Sequence, residues 1–488
     1  MLKIQKQLAL IIFLFVLTAN VIAQAPRIEW QMIYGEQDKY EYGRGAYSTP
    51  DGGYVVGGTT RRDYTSDCLI LKLDSEGNSV WSRATGSPTD DEHIEKFYIL
   101  PDGYYIAAGS MKFIVDTLYT RALIMMITPD GFHEWSGYYG NDRITGYAAD
   151  VAVDTDSSFI FTGPFADIEH NFSSDVMQMS VHYLGGPLWK YLDYEENAQT
   201  PRCIQPLMGG GYIIVGDGQD FVSYRAEGMI IMTNEIGLPT IKLDIGSEGY
   251  VRFRSVRQLP DSGFVIVGTI SHDLNDPYDL IVTRRNKHLG EVWTKTYGLG
   301  GNDLGECVEM TPDGGFIVGG SSEVGSMNFW ALRLDSNGDS LWSQIVGTPR
   351  YDYLRCLSIT DDGGYIMCGE TKEVSSFCYD ILIVKLEPDV LNSTDYEQLL
   401  PSQCVLYNNF PNPFNPTTKI KYSIPKSDLV QLKIFDVLGK EVKTLLTEYK
   451  QAGTFEVEFN ANNLPSGIYF YRMISGSYSE TKKMILIK

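Results

Sequence analysis

The stretch TPDGGYVVGG, Thr49 to Gly58, returns almost unchanged as TPDGGFIVGG at Thr311 to Gly320. Weaker copies are LPDGYYIAAG from Leu100, DTDSSFIFTG from Asp154, LMGGGYIIVG from Leu207, LPDSGFVIVG from Leu259 and TDDGGYIMCG from Thr360. A second element follows each copy: DCLILKLDSEGNSVW ends at Trp81 and NFWALRLDSNGDSLW at Trp342. One aligned position reads Trp30, Trp81, Trp135, Trp189, Ile241, Trp293 and Trp342, so six of the seven tryptophans share it. Five residues on stands Gly35, Gly86, Gly140, Gly246, Gly298 or Gly347, with Tyr194 the exception. Self-similarity with a period of about fifty residues identifies a repeat architecture.

Each unit reads as four short strands: one ending at the PDGG turn, one leaving it, one running into the DSEG-type turn and one carrying the Trp. Tight Asp- and Gly-bearing turns between apolar, β-branched and aromatic runs are hairpin signals. No segment holds the 3.6-residue period a helical solenoid needs. The reading is all-β: a seven-bladed β-propeller followed by a small C-terminal β-sandwich of Ig-like type. Arg27 opens a Trp-bearing fourth strand with no three before it, and the chain near Leu386 leaves three strands lacking a fourth. Pairing the two would close the ring and remove the sheet edges that invite aggregation.

The expected organisation is a signal peptide over 1–23, the propeller over 27–386, a linker over 387–403 and a second module over 404–488. Lys3 and Lys6 precede the apolar run Leu8 to Thr18, and Val21-Ile22-Ala23 supplies the small residues of a cleavage site. No Cys follows to take a lipid, and no later stretch is apolar enough to span a membrane. The net charge of −22 over 488 residues argues against nucleic acid and anionic lipid as partners. Seven cysteines at irregular spacing, with no CxxC pair, read as free buried thiols.

In the tail the sequence changes to LYNNFPNPFNPTTKIKYSIP, then VQLKIFDVLGKEVKTL, AGTFEVEFNANNLPSGIYFYRM and KKMILIK. Alternation at Ile420, Tyr422, Ile424, then Val430, Leu432, Ile434, then Phe455, Val457, Phe459 marks half-buried strands. The run Pro411, Asn412, Pro413, Phe414, Asn415, Pro416 resembles the type A C-terminal sorting domain of the type IX secretion system. So do Asp436 to Gly439, Leu464 to Tyr469 with Gly467, and the closing Lys482 and Lys483. The resemblance covers about the last eighty residues. It implies a Gram-negative source of the Bacteroidetes type, Sec export, handling by the type IX machinery, and release or attachment at the cell surface.

Catalytic patterns are missing from the sequence. The six histidines show no HExxH or HxxxH spacing and there is no GxSxG elbow. Neither metal nor cofactor is expected. The DSNG turn is similar to a sialidase Asp-box, but Gly338 lies four residues before the Trp and Ser336 takes the aspartate's place. The same turn and Trp also resemble the docking repeats of quinoprotein dehydrogenases, as packing only. The tryptophans are read as wedges between neighbouring sheets. Asp67, Asp175, Asp279 and Asp380 with Glu227, and Lys72, Arg284, Arg333 and Lys385 five residues on, are read as strand partners or turn caps.

In a four-stranded meander the PDGG and DSEG turns emerge on one face, and the longer, variable connections on the other, which is the face expected to bind. At the start of the innermost strand one aligned position holds Arg44, Glu95, Ala149, Arg202, Arg254, Glu306 and Arg355, followed in three units by Cys203, Cys307 and Cys356. The six charged residues are expected to ring the channel mouth and orient an anionic or hydroxyl-rich ligand, with Tyr64, Tyr119, Phe221 and Tyr278 as stacking platforms. The functional expectation is a binding or adhesion role toward a glycan or surface protein. A glycan-active hydrolase or lyase and a structural surface-layer component are the alternatives.

Overall fold

The computed structural model describes residues 24–389 and 404–487, apart from short interruptions. The expected signal peptide and most of the expected linker lie outside the described residues.

Between Ile28 and Leu386 the chain forms seven antiparallel sheets, six of them four-stranded. The first, typical of the set, is Tyr40–Ser48, Tyr54–Arg62, Thr65–Leu73 and Ser79–Thr85, paired in chain order. The third is five-stranded because its innermost strand is split into Ile144–Gly146 and Asp150–Thr155. The seventh takes Tyr351–Ile359, Tyr365–Lys372 and Asp380–Leu386 from the end of the repeat and Ile28–Tyr34 from its beginning. Ile28 pairs with Leu386 and Tyr34 with Ile381. First strands of neighbouring sheets touch all the way round, Tyr351–Ile359 against Tyr40–Ser48 included. The body is a β-propeller.

An apolar core fills each gap between neighbouring sheets. Ala46, Val56, Leu69 and Leu71 of the first sheet meet Ile366, Cys368, Ile381 and Ile383 of the last, just as Val55 and Ile70 meet Phe97 and Met125 of the second. Strands buried on both faces read as near-continuous apolar runs, which is why YVVGG and CLILKL lack clean alternation. Four of the seven cysteines are buried in these gaps, whereas Cys356, Cys378 and Cys404 are partly exposed.

The six aligned tryptophans clamp sheet to sheet at the rim instead of filling the wedge, and of these six only Trp342 is buried. Trp189 lies over the turn of the next sheet, where a β-carbon added at Gly237 would be 2.5 Å from its ring; Trp30, Trp81, Trp135 and Trp293 meet Gly77, Gly131, Gly185 and Gly338 likewise. Where Ile241 replaces the Trp, the turn glycine of the next sheet is replaced by Leu289. That side chain is 2% exposed and its backbone is left-handed, at φ 63°. Such a φ costs a leucine about 1–2 kcal/mol, comparable to what burying its side chain returns.

Thr, Asp and the third-strand cation together build the PDGG turn. Asp51 accepts the Gly53 N–H and the Thr49 hydroxyl, and Lys72 reaches it at 2.9 Å, holding its carboxyl at about 2. Arg284 on Asp261, Arg333 on Asp313 and Lys385 on Asp362 repeat the pair. The last sheet has no third turn of its own, and Asp389 takes its place. It accepts from Trp342 Nε1 at 2.7 Å, the Tyr365 hydroxyl at 2.9 Å and Arg333 Nε at 3.0 Å, with both charged side chains at most 2% exposed.

At Gly35, Gly86 and Gly298 the glycine five residues after the Trp gives way to a third-strand carboxylate, and at Gly347 to the Asn328 amide. A β-carbon on Gly86 would lie 2.4 Å from Asp67 Oδ1 and 2.8 Å from Glu92 Oε2; Asp279 crowds Gly298, Asp380 Gly35, and Asn328 Gly347 in the same way. Glu41, Glu92, Asp303 and Asp352, three residues before the ring position, accept N–H groups of Glu36, Ser87, Leu299 and Thr348. They cap the chain as it returns to the axis. Burial, with the negative charge of Asp67 beside it, raises the Glu92 carboxyl to about 7.

Two predictions follow from these buried charges. Asp389→Ala leaves Arg333 with Asp313 as its carboxylate partner but strips the Trp342 indole and the Tyr365 hydroxyl of their acceptor, and should cost about 3 kcal/mol in denaturant unfolding; a loss under about 1 kcal/mol would show that Asp389 is not a closure staple. Because folding raises the Glu92 pKa, its contribution is fully present below pH 4.5 and lost as pH rises through 7. Glu92→Gln should therefore gain up to about 3 kcal/mol on wild type between pH 4.5 and pH 8. Parallel stability curves over that range would contradict the buried ionisation.

Candidate functional site at the axial channel

Each first strand must carry one side chain to the axis, and a bulge does so. The ladder between first and second strands slips at Gly43/Gly45, Ile94/Lys96, Pro201/Cys203, Phe253/Ser255, Gly305/Cys307 and Leu354/Cys356. The skipped residues are Arg44, Glu95, Arg202, Arg254, Glu306 and Arg355. In the third sheet Ala149 falls in the break between its two inner strands. A bulge leaves its extra residue unpaired and re-aims its side chain. All seven residues line one cavity of about 190 Å³, joined by Lys96 and Tyr147.

Most of the charge there is already paired. Glu370, on the second strand of the last sheet, takes Arg355 Nη2 at 2.5 Å through one oxygen and Arg44 Nη1 at 3.1 Å through the other. Asp217 takes Arg202 Nε at 3.3 Å, and the Tyr147 hydroxyl stands 3.4 Å from the same guanidinium. Glu306 lies 3.8 Å from Arg355. Glu95 is 3.5 Å from His93, whose imidazole burial holds below its usual pKa. Arg254 and Lys96 make no hydrogen bond or ion pair with any described residue. Burial works against the Lys96 ammonium, but Asp150 outweighs it and the pKa stands above the usual lysine value.

Below this layer the axis is occupied. Three residues further along their strands, Tyr47 and Tyr98 pack with ring centroids 5.9 Å apart, Tyr98 donates to Asp150 at 2.8 Å, and Arg257 forks onto Glu309 at 2.6 and 3.2 Å. Polar groups therefore floor the cavity.

The sequence reading missed Lys96, Tyr147 and Glu370. Asp217 and Glu370 both stand 15 residues after a ring arginine, Arg202 and Arg355, a spacing visible in the sequence. The same offset from Arg44 and Arg254 gives Thr59 and Thr269. Arg44 borrows Glu370 from the neighbouring sheet; Arg254 has no such neighbour to borrow from, since Asp217 is held by Arg202. Tyr119 and Tyr278 are absent from the cavity lining, and Tyr64 and Phe221 lie outside the described residues. The aromatic groups next to the ring are Tyr147 and Tyr42, over whose ring Arg44 lies at 5.5 Å.

The tail forms a three-stranded sheet (Val405–Leu406, Thr417–Ile424, Gly453–Asn460) and a four-stranded sheet (Glu441–Lys450, Asp428–Phe435, Gly467–Ser475, Tyr478–Leu486). They share one core containing Ile420, Tyr422, Leu432, Phe459, Tyr471 and Met484. The PNPFNP run clamps the last strand. Phe414 is 2% exposed, its N–H donates to Ile485 O and its carbonyl accepts from Ile487, while Asn412 accepts the Ile485 N–H. The Pro411 carbonyl accepts the Thr418 hydroxyl, and the Pro416 carbonyl the Ala461 N–H. Residues 408–488 match the family described as "Secretion system C-terminal sorting domain". The chain carries a sorting domain. Such a domain marks its carrier for type IX secretion, to the cell surface or the extracellular space.

Within the sorting domain, Tyr469 donates to Pro465 O at 2.8 Å, Gly439 turns the Asp436 hairpin at φ 77°, and Lys482 pairs with Glu480 at 3.2 Å. Asn415 and Lys483 lie at the surface, exposed or nearly so, and Gly467 begins its strand. No curated protein matches the chain in sequence. Among solved structures it is similar to a Dyadobacter fermentans protein of unknown function (10% identity, 75% of this chain and 99% of that one, TM-score 0.49). It is also similar to PorZ of Porphyromonas gingivalis (12%, 91% and 70%, 0.31) and to the β-propeller domain of the trilobed protease from Pyrococcus furiosus (9%, 71% and 93%, 0.42). Among the described residues no helix is long and apolar enough to cross a membrane.

Proposed function

We propose that the propeller, residues 27–386, is a binding module that the sorting domain, residues 404–488, delivers to the cell surface or beyond, and that its ligand enters the channel mouth. The observation that carries this reading is the set of bulges turning four arginines toward one cavity. The carboxylates beside them favour binding over glycan hydrolysis. Glycoside cleavage needs two carboxyl groups flanking one bond, one of them holding a proton for transfer. Here Glu370, Asp217 and Glu306 each face an arginine.

Arg202→Ala with Arg355→Ala should abolish retention of whatever ligand a glycan array or surface pull-down identifies, while the thermal melt still reports a folded propeller. Undiminished retention would place the site elsewhere. Deleting Leu406 to Lys488 should leave a folded propeller held in the periplasm. Delivery of that truncation at wild-type yield, measured by cell fractionation, would contradict the division of labour.

A further inference from the structure

Resting on the channel-mouth reading, we infer that the site takes one oxyanionic group, the charged end of a larger ligand, and seats it against Arg254 and Lys96. The first ground is unused donor capacity. A guanidinium offers five N–H donors and an ammonium three. Arg44, Arg202 and Arg355 spend theirs partly on Glu370, Asp217 and Glu306, whereas Arg254 and Lys96 spend none on a described residue. Both line the same cavity. An unpaired cation in a recess is poorly solvated, and a hydrogen-bonded counter-charge is what compensates it.

The second ground is acceptor capacity. Of the four carboxylates at this level, three face arginines, and Glu95, beside a His93 whose pKa burial lowers, is set against an incoming anion; the Asp150 carboxylate near Lys96 lies deeper and already accepts the Tyr98 hydroxyl and the Ile204 N–H. A cationic ligand would find one weakly engaged carboxylate and four guanidiniums. An anion finds two cations whose hydrogen-bond donors are unspent on described residues, with Arg202 and the Tyr147 hydroxyl at hand for further contacts. The third ground is size. A cavity of about 190 Å³ floored by Tyr47, Tyr98 and the Arg257–Glu309 pair is smaller than sites that enclose a drug-sized molecule, roughly 300–1,000 Å³. It admits an end group and leaves the rest outside.

The test is calorimetric titration of the mature full-length chain at low ionic strength with D-glucuronate, D-glucose, inorganic sulfate and inorganic phosphate. At least one of the three anions should bind one per chain, weaken as NaCl is raised, and lose tenfold or more in affinity in Arg254→Gln and in Lys96→Gln. Glu95→Gln should tighten it several-fold, and Arg254→Lys should keep most of it. Glucuronate binding assigns a carboxylate ligand; sulfate or phosphate alone assigns a tetrahedral one. Neither Arg254 nor Lys96 has a hydrogen-bonded partner among the described residues to lose, Lys96→Gln gives up its attraction to Asp150, and melting curves of the variants check the fold directly. Glucose binding as tightly as the anions, or anion affinity unchanged in both Gln variants, overturns the inference. A retained ligand that is lost in the Arg202/Arg355 double variant but indifferent to Arg254 and Lys96 overturns the oxyanion seat and leaves the channel-mouth reading standing; indifference to all four residues overturns both.

Discussion

The pairing of Ile28–Tyr34 with Asp380–Leu386 joins the two ends of the repeat across some 350 residues, and the rest of the propeller depends on it. Without it the last sheet has three strands and an open edge, and the first sheet loses its place against Ile366, Cys368 and Ile381. Loop-closure entropy grows only slowly with length, so even so distant a contact is affordable once the intervening sheets are packed. The closure is reinforced where the repeat lacks a turn: Asp389 supplies to Trp342 and Arg333 what a glycine turn supplies to the other tryptophans, and Glu387 ties to Arg27 at 3.0 Å. These contacts hold the seventh sheet against its neighbours and keep the axial cavity lined on all sides.

The same economy of form produces the site. A first strand packed between two neighbours has no spare side chain for the axis unless its pairing slips by one residue. The slip recurs at one place in six sheets, so six charged groups converge at one level. Convergence of like charges is costly, and the strands behind the ring answer it unevenly. Glu370 serves two arginines and Asp217 one, while Thr269 stands where Arg254 would have found an acid. The imbalance among otherwise equivalent positions separates a candidate binding surface from a merely structural ring of ion pairs.

Several sequence signals became intelligible only through contacts. The glycine five residues after the tryptophan recurs without an evident local reason; at Gly35, Gly86 and Gly298 a carboxylate from the third strand fills the space of its β-carbon. The recurring Lys or Arg on that strand is the partner of the PDGG aspartate 20 to 23 residues upstream. The tryptophans, read as wedges, are rim clamps over the next sheet's turn. Leu289 shows the coupling from the other side: where the Trp is absent, the turn glycine is absent too, and a leucine accepts a left-handed backbone to fill the gap.

By itself the sequence determined the all-β class, the repeat and its register, the aligned ring of charged residues, and a tail of recognisable motifs. All of these are carried by local turn chemistry and spacing along one chain. Only the tertiary structure decided which ring charges are neutralised. That depends on side chains from different sheets meeting across the axis, as Glu370 meets Arg44 and Lys96 joins Arg254 in lining one cavity. Spacing within a repeat can place residues at one level, but the partner each one finds is set by the neighbouring sheet and by the slip in the ladder that turns it inward.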